Sequence, residues 1–139
     1  MKKRRSLEKS KNLDGKAVES DISDKQDMSI AVMNLINIEE HLAFTAMKTR
    51  KKEYLIVQSA VRKKRIRLMK KLLTNTEGEL WCISKHLLAT TMRLMETATK
   101  YTDNDTDEAQ KIIEDAFDMY GLFWMLQTIE EKTKSNTMG

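Results

Sequence analysis

Not one proline interrupts this 139-residue chain, and it has only four glycines. Proline is the residue that most reliably ends a helix, and a β-sheet domain of this length needs a steady supply of proline and glycine for its turns. A chain without them is confined to helices joined by short connections. The balance of 33% charged to 40% hydrophobic residues suits helices that are apolar on one side and wet on the other. The expected fold class is all-α.

The clearest helical pattern lies between Gly78 and Tyr101. Leu80, Ile83, Leu87, Leu94, Ala98 and Tyr101 fall on one stripe, with Trp81, Leu88, Met92 and Met95 beside it. Glu79, Cys82, Lys85, His86, Arg93, Glu96 and Lys100 occupy the other side. Thr76 followed three residues later by Glu79 has the form of a capping box, which predicts a helix start near Glu77.

Three further helices follow from the same periodicity. One runs from Met28 to about Met47, with Met33, Ile36, Glu40, Phe44 and Met47 on one stripe and Val32, Leu35, Ile38 or Glu39, Leu42 and Ala46 on another. Such two-sided apolarity suits a central or interface helix. A turn at Lys48 to Lys52 is placed where the apolar phase changes, and a second helix continues to about Leu73. Thr74 to Gly78 and Thr102 to Asp105 read as loops. Asp105, with Glu108 three residues on, caps a last helix that reaches about Glu131. Gly121 within it weakens the helix and lets another backbone come close.

Short connections force antiparallel neighbours, so the expected architecture is a four-helix up-down-up-down bundle over residues 28–133. Three helices, with the first two fused, are the alternative. Residues 1–27 alternate charges with little to bury and read as a disordered charged tail.

Charge is sorted by segment. Lys48 to Lys71 holds eleven Lys or Arg against the lone Glu53, whereas Asp103 to Asp118 holds seven acids against Lys111. A single cysteine allows no internal disulfide, no apolar run approaches bilayer length, and the basic N-terminus has no apolar stretch after it. A soluble protein of the cytoplasm, with no membrane partner, is the expectation.

Chemistry has few places to sit. Cys82 and His86 are four residues apart and stack on one helical face, where they would begin a divalent-metal or thiol site. In an up-down bundle His41 and Glu40 lie at a similar height and would complete the ligand set. The plainer reading is a small semi-buried cysteine and an interfacial histidine. A di-metal carboxylate bundle requires Glu-x-x-His, and Ile38 and Ile83 stand where those glutamates belong. No phosphate loop, nucleophile elbow, H-E-x-x-H or C-x-x-C is present. No cofactor is implied.

Arg62, Lys63, Lys64, Arg67, Lys70 and Lys71 crowd ten positions together with Arg65, enough charge to hold a phosphate backbone or an acidic protein. No aromatic residues interleave them to stack on bases, and such a run also serves as a solvated helix face. Leu122 to Leu126 is an unbroken run of five large apolar residues, and one helix cannot aim them all at one core. Some must meet another surface. Met33, Phe44, Phe123 and Trp124 are therefore the expected interface residues of a homodimer. The carboxylate of Glu40 inside an apolar stripe calls for a basic partner, Arg62 first, with Arg65 or Arg93 as substitutes. The functional expectation is a non-enzymatic interaction module that self-associates and offers a basic helix to RNA or an acidic protein. The rival is a bundle with a metal or thiol site.

Overall fold

The computed structural model describes the backbone of residues 13–138 and the side chains of residues 23–129. Four helices account for it: α1 (Leu13–Thr49), α2 (Glu53–Leu72), α3 (Gly78–Thr99) and α4 (Thr106–Met138). There is no strand among the described residues. The four-helix all-α class expected from the missing prolines is the one observed.

The helix boundaries follow from local chemistry. Arg50 ends α1 in the left-handed region at φ 60, and its amide reaches back to the Ala46 carbonyl at 2.8 Å, closing the last turn without a glycine. Three residues later α2 has begun, so the phase change placed at Lys48 to Lys52 is a true break. Asp105 caps α4 as its spacing predicts, accepting the Glu108 amide through Oδ1 at 3.1 Å. The Thr76–Glu79 capping box does not form. Gly78, at φ +67, starts α3 one residue later than expected, and Glu77 takes the N-cap position with no side-chain bond. Thr76 therefore lies outside the cap, and the loop is organised instead by Asn75, whose Oδ1 accepts the Glu77 amide at 3.0 Å.

The first helix begins at Leu13, well before the Met28 start read from apolar spacing, so part of the segment assigned to a tail is helical. Residues 1–12 of that tail lie outside the described residues.

Side by side, the helices run α2, α1, α3, α4: α1 packs against both α2 and α3, and α4 packs against α3. Two hairpins thus meet along α1 and α3. All four helices still feed one core, in which Val32, Met33 and Ile36 of α1 meet Met69 and Leu72 of α2, Leu88 of α3 and Phe123 of α4. Trp124 closes its edge, in T-shaped contact with Phe123 at 4.8 Å and Tyr120 at 5.9 Å between ring centroids.

Polar residues inside the bundle fix its register. Glu39 and Arg65 are 8% and 3% exposed and form a two-pronged ion pair, Nε to Oε2 at 2.7 Å and Nη2 to Oε1 at 2.9 Å. Gln58 donates to the Glu39 carbonyl at 2.9 Å, so this one turn of α1 is held at two heights of α2. The expected Glu40–Arg62 pair is not formed. Rotation of α1 by one residue puts Glu39 inward and Glu40 at the surface, where Arg93 of α3, one of the substitutes, meets it at 2.8 Å. In the other hairpin the buried amide of Gln127 donates to Ser84 Oγ at 3.0 Å and accepts the Thr74 amide at 3.4 Å, which ties α4 to α3 and to the α2–α3 loop. Ser29 donates to the Gln26 carbonyl and accepts the Tyr120 hydroxyl at 2.6 Å, joining α1 to α4.

Candidate interaction surfaces

The placement of the expected metal ligands decides first what the molecule can do. Cys82, His86, His41 and Glu40 are all exposed. Glu40 and His86 line one small cleft between α1 and α3, along with Asn37, Thr90 and Arg93. Cys82 and His41 do not line it, and the Glu40 carboxylate is engaged by Arg93. Among the described residues no three of His, Cys, Asp and Glu come together as a metal-binding group. The i, i+4 spacing of Cys82 and His86 is real, but both project away from the core that Leu80, Ser84, Leu88 and Thr91 of α3 enter.

The expected interface residues divide. Met33 is 4% exposed and Phe123 fully buried, so both are consumed by the chain's own core and offer nothing to a partner. Phe44 is exposed and Trp124 half-buried. The run from Leu122 to Leu126 behaves as helix geometry demands, with Phe123 inward while Leu122 and Met125 face outward. Other exposed apolar side chains were not singled out from the sequence. Ile56 is 72% and Phe117 61% exposed, and Leu55, Val57 and Ile129 also reach the surface. Their signal in the sequence was present but masked: each sits on a helix whose inward face includes polar residues, so apolar spacing alone assigns the wrong side.

Two outer faces result, of opposite character. On α2, Arg65, Met69 and Leu72 point inward. Arg62, Lys63, Lys64, Arg67, Lys70 and Lys71 are exposed, and no acidic residue stands between Glu53 and Glu77 to neutralise them. Their N-terminal neighbours Leu55, Ile56, Ser59 and Ala60 line an open shallow groove with Lys63, Lys64 and Arg67. The face is thus apolar at its start and cationic at its end.

On α4, Ala109, Ala116, Phe123 and Gln127 are buried. The opposite side carries Glu114 and Asp118 in its first half, then Gly121, Leu122, Met125 and Ile129. A Cβ added at Gly121 would meet nothing within 4 Å, so no other described residue packs where the side chain is missing. Glycine at an exposed mid-helix position costs about 0.5–1 kcal/mol relative to alanine. Among the described residues no contact offsets that cost.

No helix among the described residues is long and apolar enough to cross a membrane. Compared with known proteins, the chain matches no protein family, no curated protein and no solved structure.

Proposed function

We propose that the protein is a non-enzymatic helical assembly module that self-associates through the outer faces of its helices. One observation carries the reading: large apolar side chains, Ile56 and Met125 among them, stand exposed on helix faces that are otherwise strongly charged and whose opposite sides already fill the core. Exposed apolar area of that kind is what a partner covers. The partner must also tolerate charge, since Lys63 and Arg67 border one patch and Glu114 and Asp118 the other. Light scattering across a range of protein concentrations tests this. The mass should rise above the 16.2 kDa of one chain at micromolar concentration and fall back as salt screens the charged rims. A single-chain mass at every concentration would remove the reading.

The six exposed cations of α2 also favour a second reading, a docking surface for a polyanion such as RNA or an acidic protein. Binding through phosphates releases counterions, so affinity for a labelled RNA should fall steeply with salt, and replacing Arg67, Lys70 and Lys71 by Gln should flatten that dependence.

A further inference from the structure

The outer face of α2 reads along one stripe as Ile56, Ala60, Lys63 and Arg67, with spacings of four, three and four. The outer face of α4 reads as Glu114, Asp118, Gly121 and Met125, with the same spacings. All eight residues are exposed. Alternating four-and-three spacing is the seam along which two helices pack side chain into gap. The pattern is the same in both directions, so sterics alone would accept a parallel or an antiparallel partner.

Charge decides between them. In the parallel alignment Ile56 meets Glu114, Ala60 meets Asp118, and Arg67 meets Met125, which sets both carboxylates against apolar or small groups. In the antiparallel alignment every layer matches: Ile56 against Met125, Ala60 against Gly121, Lys63 against Asp118, Arg67 against Glu114. Glu114 also accepts a bond from Gln110 through Oε2 at 3.1 Å, which leaves its other oxygen for Arg67. One unfavourable meeting remains at the end of the seam, where Lys70 would approach Lys111. Both are long, exposed side chains free to turn aside.

Among the described residues the backbones of α2 and α4 in a single chain do not pack side by side, and their outer faces point away from the shared core. We infer that the outer face of α2 in one copy of this chain seats antiparallel on the outer face of α4 in a second copy. The Ala60–Gly121 layer is where the two backbones come closest, which gives Gly121 a contact that the described residues of its own chain do not supply. This inference rests on the self-association reading and fixes its register. Because the two faces differ, the contact is heterologous. Made reciprocally by two copies it closes as a dimer, and made once per copy it propagates.

Two charge-reversed variants of the full chain test the register. Lys63→Glu with Arg67→Glu makes both outer faces acidic, and Glu114→Lys with Asp118→Lys makes both basic. Each variant alone should remain a monomer by light scattering. Their equimolar mixture should associate, because every contact between unlike variants is again of opposite charge. All four positions are exposed, and unchanged far-ultraviolet circular dichroism should confirm that each variant keeps its helices. If the parent associates and the variants associate equally well, the α2–α4 register is wrong while self-association stands. If the variants are monomeric and the mixture is too, the register is likewise overturned, since complementarity was restored without effect. A monomeric parent would remove both claims.

Discussion

The two hairpins of this molecule solve the same problem with different chemistry. Between α1 and α2 the buried polar contact is a full ion pair, Glu39 with Arg65, while between α3 and α4 it is neutral, Gln127 with Ser84. The outsides repeat the contrast in another form, cationic on α2 and anionic on the first half of α4. A buried charge is costly unless paired, and its pairing is highly directional, so it fixes the rotation of one helix against another. A neutral amide and hydroxyl fix register at lower stakes, because losing one partner strands a dipole rather than a charge. The first hairpin should therefore be brittle to single polar substitutions and the second tolerant.

The largest expected effect breaks the first hairpin. Arg65→Met leaves Glu39 buried without its cation and should destabilise by about 3 to 5 kcal/mol in chemical denaturation. Adding Glu39→Leu to that variant should restore most of the loss, since an apolar pair of similar volume need not be desolvated. No recovery in the double variant would mean that the pair contributes net stability rather than only specificity.

A smaller effect is expected across the second hairpin. Ser84→Ala removes the hydroxyl that accepts from Gln127 but leaves the amide its bond to the Phe123 carbonyl at 3.3 Å. The loss should be about 1 kcal/mol, read from the same denaturation curves. A loss as large as that of Arg65→Met would erase the distinction between the hairpins.

The smallest effects belong to the outer faces. Ile56→Ser and Phe117→Ser should each change the stability of the monomer by no more than about 0.5 kcal/mol, because neither side chain is buried in a single chain. Both should nevertheless weaken association. Substantial destabilisation of the monomer by either would show that these side chains serve the chain's own core.

Much of the fold was legible in the sequence, and the reasons it was not fully so are specific. Helix number follows from composition, the turn at Lys48 to Lys52 from the change of apolar phase and the loop at Thr102 to Asp105 from its turn formers, and Asp105 caps α4 through a bond that spans only three residues. Helix rotation was harder to read. Glu39, Arg65, Ser84, Thr91 and Gln127 are buried, and a reading that turns polar residues outward rotates α1 to α4 away from their true phase. That is why apolar spacing gives Glu40, rather than Glu39, the internal partner, and places Ile83 on the stripe that faces the core. The same error hid the outer faces. The cationic run of α2 was visible at once, whereas the matching spacing on α4 emerges only once Phe123 is known to point inward.

The claim that these two faces meet can be put to one direct measurement. In a Cys82→Ser background, which removes the exposed native thiol, single variants Ala60→Cys and Gly121→Cys are mixed and mildly oxidised. A disulfide needs Cα atoms within about 7 Å, a separation that only the small–small layer of the seam supplies. The account predicts a cross-linked product that contains one chain of each variant, well beyond the twofold excess over either self-linked pair that random encounter gives. A one-to-two-to-one mixture of the three products, or self-linked pairs alone, would contradict it.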